Sequence, residues 1–153
     1  MKIYYKYLLL VIWMIVIFLL SSEVAQTSSG RSAAIVGVLT QSLHVSLPES
    51  ILTFLTRKSA HIIGYFILGI LLFNVVKEYA TATKRIVIIS ISLALAYAAS
   101  DELHQLFVPG RSGELRDILI DTLAASVGIG LYAILNKKHK SGINSKNKVY
   151  YIK

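Results

Sequence analysis

The sequence predicts an all-α integral membrane protein, a four-helix bundle with an extra external segment that is amphipathic or re-entrant. Three observations predict it. Of 153 residues, 55% are hydrophobic and 16% charged, which leaves a soluble domain of this size too much apolar surface to cover. Four apolar runs of helical length recur along the chain, each near the length a bilayer requires. The basic residues are sorted between the connections rather than scattered. There is no cysteine, so disulfide scaffolds, thiolate metal sites and cysteine nucleophiles are excluded.

The first span is expected at about residues 4–20, where Tyr7–Leu20 carries no charge after Lys2 and Lys6. A signal peptide would share the basic start and apolar middle. Glu23, however, would stand at the third position before a cut after Ala25, which favours an uncleaved helix. A Ser-rich connection follows at Ser21–Gly30. Ile35, Val36, Leu39, Leu43 and Leu47 then recur at helical spacing. Gln41, Ser42 and His44 interrupt that run, so 33–47 is read as the segment lying at the interface.

Pro48-Glu49 suits the first turn of a new helix, where proline is tolerated and an acid complements the dipole. Arg57 and Lys58 divide that helix into an interfacial part and a span at about 60–76. Gly64 and Gly69 are expected to admit a close helix neighbour. Lys77–Arg85 is a short charged loop, and the third span, about 86–106, runs on toward Val108-Pro109-Gly110. The fourth span is expected at 118–135, after Asp117, with Gly128 and Gly130 as further points of close packing. Residues 1–136 thus form one membrane domain, and 137–153 a polar, lysine-rich tail expected to be poorly ordered.

Charge gives the orientation. With the N-terminus cytoplasmic, eleven of the sixteen basic residues lie inside, and seven of the eight acids lie outside. Both termini are therefore expected in the cytoplasm. The net charge of +8 is then an orientation signal, with the tail near anionic lipid, and no nucleic-acid partner is expected.

Against this apolar background, Ala98–Asp121 is dense in polar chemistry. It carries Asp101, Glu102, Gln105, Arg111, Glu114, Arg116, Asp117 and Asp121. Asp117 and Asp121 are four apart and share a stripe, with Asp121 about 6 Å deeper along the helix axis. A charge facing lipid at that depth would cost a few kcal/mol, so Asp121 is expected to face its neighbours. On the second span, Lys58, His61 and Tyr65 lie three and four apart on one face. The expected site is one outward-facing pocket lined by Lys58, His61, Tyr65, Asp101, Glu102, Gln105, Asp117 and Asp121, with Arg111 and Arg116 above as counter-charges. Glu114 and His104 are read as turn surface and as pointing elsewhere. His61 with Glu102 and Asp121 would offer three metal ligands, but no tight ligand spacing such as HExxH is present, so neither metal nor cofactor is expected. No GxSxG or SxxK supports a serine nucleophile.

At these residues the chain resembles the VanZ-like family of bacterial membrane proteins. The resemblance rests on Arg57-Lys-Ser-Ala-His-Ile-Ile-Gly-Tyr-Phe-Ile-Leu-Gly69 and on Asp101-Glu-Leu-His-Gln-Leu-Phe-Val-Pro-Gly-Arg-Ser-Gly-Glu-Leu-Arg-Asp117. The second is the more specific, with its E-x-x-Q-x-F-x-P-x-R core and downstream R-D. The family usually shows Asn where this chain has Asp121; an acid and an amide differ in charge and donor capacity. The resemblance implies a role in lowering susceptibility to teicoplanin, a lipid-tailed glycopeptide, and implies no particular reaction.

Three readings follow. In the first, the pocket binds membrane lipid, a lipid-linked cell-wall precursor or the lipoglycopeptide, with Arg111 and Lys58 meeting anionic groups and Gln105, Tyr65 and His61 orienting them. In the second, the protein is an enzyme on such a lipid. Glu102 or Asp117 is then the general acid/base, assisted by His61, and Arg111 stabilises developing negative charge. In the third, the polar cluster only packs helices.

Overall fold

The computed structural model describes residues 3–22, 30, 48–111 and 113–150. They form four helices in the order α1 (Ile3–Ser21), α2 (Glu49–Val76), α3 (Thr83–Gln105) and α4 (Leu115–Tyr150), with no strand among the described residues. Each helix contains a stretch long and apolar enough to cross a membrane: Ile3–Ser21, Phe54–Val76, Thr83–Gln105 and Leu115–Lys137. The expected external segment at 33–47 lies outside the described residues.

One boundary differs from expectation, at the end of the fourth helix. α2 is one continuous helix through Arg57 and Lys58, which lie inside its first half; both are good helix formers and leave the backbone pattern unbroken. Pro48 sits as its N-cap, and its carbonyl accepts the amides of Ile51 at 3.0 Å and Leu52 at 3.2 Å. The fourth helix does not stop near Leu135 but continues to Tyr150. Lysine is a good helix former and no proline interrupts the tail.

The helices alternate in direction, and side-chain ties at both ends show it. Lys6 near the start of α1 forms an ion pair with Glu78, just past the end of α2. Glu78 lies outside the spans, and the Lys6 ammonium holds its carboxyl below the usual range. At the same end, Lys77 donates to the Tyr132 hydroxyl at 3.1 Å, and that hydroxyl donates to Asn74 at 3.2 Å. At the opposite end, Ser21 of α1 accepts a hydrogen bond from Gln105 of α3 at 3.0 Å.

α2 and α4 share the most extensive interface, and its closeness comes from two glycines. A Cβ on Gly69 would stand 2.1 Å from the Ala125 carbonyl oxygen, and one on Gly128 would stand 2.2 Å from that of Phe66. Neither distance is physically open to a side chain, so the two backbones touch directly, as small residues permit between membrane helices. Gly64 and Gly130, expected to act alike, do not. A Cβ on Gly64 would meet only the Ile17 side chain at 3.7 Å, and one on Gly130 would meet nothing within 4 Å.

Around this contact lies a core of Tyr65, Leu68, Leu72, Ala94, Ala98, Ala124 and Ala125, with Leu10 and Ile17 of α1 completing it. Phe73, Val76, Ile86 and Ile129 form a second cluster toward the other end. α1 is held more loosely and exposes Leu8, Val11, Ile12, Ile15 and Leu19, the face a helix turns to lipid. Two directional bonds fix it: the Trp13 indole N–H donates to the Gly64 carbonyl at 2.9 Å, and the Tyr97 hydroxyl donates to the Met14 carbonyl at 2.6 Å.

Gly69→Ala and Gly128→Ala are each expected to cost about 1–3 kcal/mol through overpacking of the α2–α4 seam. Gly130→Ala should be neutral or slightly stabilising, since helix propensity favours alanine. Thermal unfolding of the three variants in detergent measures the difference; a tolerant Gly69→Ala would contradict the backbone contact.

Candidate functional site

The contact stripes of α2 and α4 change character along their length. On α2, Leu72, Gly69, Leu68, Tyr65, His61 and Lys58 follow one another at spacings of three, four and one, and on α4 the order is Gly128, Ala125, Asp121 and Asp117. The seam that is apolar at its centre is therefore polar at one end. Lys58 forms an ion pair with Asp117, and one turn deeper His61 Nδ1 lies 3.4 Å from Asp121 Oδ2. Deeper again, the buried Tyr65 hydroxyl donates to Asp101 Oδ2 on α3 at 3.2 Å. His61 and Tyr65 stack at 6.4 Å between ring centroids.

α3 presents its polar end to the same place. Asp101, Glu102 and Gln105 are all buried, but Asp101 and Glu102 diverge because adjacent residues stand about 100° apart around a helix. Asp101 joins His61 and Asp121. Glu102 turns to the α3–α4 connection, where its Oε2 accepts the backbone N–H of Glu114 at 2.9 Å and its Oε1 accepts from Gln105 Nε2 at 3.2 Å. The three-ligand grouping of His61 with Glu102 and Asp121 is therefore replaced by one with Asp101 in place of Glu102.

The connection itself is shaped by Val108-Pro109-Gly110-Arg111. The Arg111 amide donates to the Val108 carbonyl at 3.1 Å, and Gly110 has φ 75°. Proline at the second position and a positive-φ glycine at the third make a type II turn. This turn carries Arg111 back over the helix ends. Gly113 lies so close to the Glu102 carbonyl oxygen, 2.6 Å from where a Cβ would be, that a side chain there would push the loop away.

The result is a cleft of about 240 Å³ lined by Arg57, Lys58, His61, Gln105, Arg111, Glu114, Asp117 and Asp121, with Phe54 and Ile120 as apolar walls. Arg111 lies outside the spans; burial lowers its guanidinium pKa, and Arg57 nearby lowers it further. Two guanidinium groups lining one cleft mark a place suited to an anion.

Of the ten residues expected to build one pocket, Lys58, His61, Gln105, Arg111, Asp117 and Asp121 line the cleft. Tyr65 and Asp101 form the buried layer bonded to each other beneath it. Glu102 does not line it and instead braces the loop. Arg116 lies outside it, exposed and paired with Glu114 at 2.9 Å. Glu114, expected to be turn surface, lines the cleft through this arrangement. His104, expected to point elsewhere, meets α1, where its Nε2 and the Ser22 hydroxyl are 3.1 Å apart and its ring lies 4.5 Å from Phe18. Sequence reading missed Arg57, Phe54, Ser21 and Ser22. Arg57 was next to a chosen residue, whereas nothing in the first helix marked its serines.

The sequence model described as VanZ/LLP1 matches residues 6–136. The chain belongs to the VanZ/LLP1 family. The match reaches into all four spans, including α1, which lies outside the two motifs that carry the resemblance. No curated protein and no solved structure matches the chain.

For a VanZ/LLP1 member built this way, Glu102 is a brace between helix and loop. Glu102→Ala leaves the Glu114 amide and Gln105 without their acceptor and should cost about 1–3 kcal/mol. Glu102→Gln keeps one acceptor oxygen and should cost less. Melting temperature together with protease sensitivity of the 106–114 loop checks this; equal stability of Glu102→Ala and the parent would remove the brace.

Proposed function

We propose that the cleft binds the anionic headgroup of a membrane lipid or of a lipid-linked cell-wall precursor, and that the protein modulates the bacterial envelope through that binding. Lowered susceptibility to lipoglycopeptides such as teicoplanin would be one consequence. The observation that carries the reading is the convergence of Arg57, Lys58 and Arg111 on a cleft with apolar walls at one end of the membrane spans. Arginine offers a planar fork that matches phosphate oxygens in pairs. Phe54 and Ile120 suit the first carbons of an acyl or prenyl tail. The Asp117 carboxylate, paired with Lys58, lines the same cleft and would accept a hydroxyl of the headgroup.

The orientation follows from the basic residues and would place the cleft at the outer surface of the cytoplasmic membrane, with both termini inside. Because the chain has no cysteine, single cysteines report topology without background. Phe107→Cys should react with a membrane-impermeant maleimide in intact cells, and Tyr79→Cys only after permeabilisation. The reverse pattern would overturn the orientation.

Lipid extracted with the purified protein and identified by mass spectrometry tests the binding directly. A phosphate-bearing lipid is expected at about one per chain, falling roughly tenfold or more in Arg57→Ala and Arg111→Ala, as the loss of a charge-assisted pair implies. Arg111→Lys should restore only part, since lysine keeps the charge but not the fork. Identical lipid in parent and both alanine variants would refute the reading.

His61 beside Asp121 on the cleft wall favours a second reading, a membrane enzyme using carboxylate and histidine acid–base chemistry on the same headgroup. Asp117→Asn with His61→Gln separates the two. Persistence of the teicoplanin phenotype in that variant would sink the enzyme; loss of the phenotype with lipid retention intact would favour it.

A further inference from the structure

His61, Asp101 and Asp121 come from three different helices, and one ligand atom from each lies within 4.8 Å of the other two. Asp101 and Asp121 are 3% and 2% exposed. Two carboxylates so deeply buried, with one imidazole between them, need a compensating positive charge. Lys58 does not supply it, being engaged by Asp117 a turn away, and Arg111 brings one charge that it shares between Asp101 and Glu102.

The internal bonds of the trio do not satisfy it. His61 Nδ1 and Asp121 Oδ2 are 3.4 Å apart, long for a hydrogen bond between them. It matches one edge of a tetrahedron whose centre lies about 2.1 Å from each corner, the usual distance from zinc to nitrogen or oxygen; the three ligand atoms, which lie within 4.8 Å of one another, draw together to complete it. Asp101 Oδ2 accepts from Tyr65, while Oδ1 is buried and has no hydrogen-bond partner among the described residues. An oxygen left over in this way, beside a carboxylate held by a tyrosine, is what a ligand oriented by an outer hydrogen bond presents.

We propose that His61, Asp101 and Asp121 bind one first-row divalent cation of the zinc or manganese kind. One imidazole and two carboxylates without sulfur suit these ions; calcium takes six to eight oxygens and does not fit. The ion neutralises the two acids, and Tyr65 fixes the Asp101 ligand from behind. His61 and Asp121 also line the cleft, which gives the ion a way in. The site stands apart from the lipid reading and requires no lipid.

The test uses full-length protein purified without a histidine tag, stripped with a chelator and titrated with zinc or manganese alone. One equivalent bound per chain is expected, with a rise in melting temperature that the chelator reverses. Asp121→Asn and Asp101→Asn preserve shape, and each should weaken binding at least about tenfold. His104→Ala, whose ring lies against α1, should bind as the parent does. Absence of binding by the parent to either metal, or binding unchanged in both asparagine variants, would overturn the proposal. Should an asparagine variant fail to fold, the titration of the parent decides the matter.

Discussion

Everything at the polar end of this bundle depends on α2 and α4 touching backbone to backbone. Gly69 against Ala125 and Gly128 against Phe66 leave no room for any side chain between them. That seam sets the separation of the two helices one and two turns further along, where Asp121, His61, Asp117 and Lys58 reach across. With larger residues in the seam the helices would part, and pairs now in contact would become isolated charges at membrane depth, each costing a few kcal/mol. Packing at the centre thus determines electrostatics at the end.

α3 and α1 complete the enclosure in different ways. α3 approaches through Ser90, Ala94 and Ala98, all buried and small, which lets Asp101 meet Tyr65 and leaves Glu102 free to hold the loop. α1 adds no charge to the site. It closes the flank with the Ser21–Gln105 bond and the Ser22–His104 contact, while the other end is tied by Lys6 and Glu78. The type II turn at Pro109-Gly110 then returns Arg111 over the opening. An anion entering there would meet cations at the rim and acids below. The proposed headgroup binding rests on this layering.

Membership in the VanZ/LLP1 family over residues 6–136 agrees with what the residues show separately: membrane-length helices and a concentrated polar end. The family match names neither ligand nor reaction. The proposals for both rest on the cleft. Of the three acid–base candidates, Glu102 is occupied by the Glu114 amide and Gln105, whereas Asp117 and His61 face the cleft.

Much of this was legible in the sequence because membrane helices obey local rules. Length and hydropathy set the spans, spacings of three and four placed Lys58, His61 and Tyr65 on one face, and the cost of charge in lipid sent Asp121 inward. What depends on rotation and loop path was not legible. Asp101 and Glu102 are equally polar neighbours, and only the packed angle of α3 sends one to His61 and the other to Glu114. Arg116 looked like a counter-charge and stays outside the cleft, paired with Glu114 on its wall, while Arg57 looked like a boundary and lines it. Gly64 and Gly130 resembled Gly69 and Gly128 in sequence, yet only two of the four meet a backbone. The sequence by itself determined which residues are polar, how deep they lie and which share a helix face. The tertiary structure alone decided which faces meet, because that depends on contacts between residues far apart in the chain.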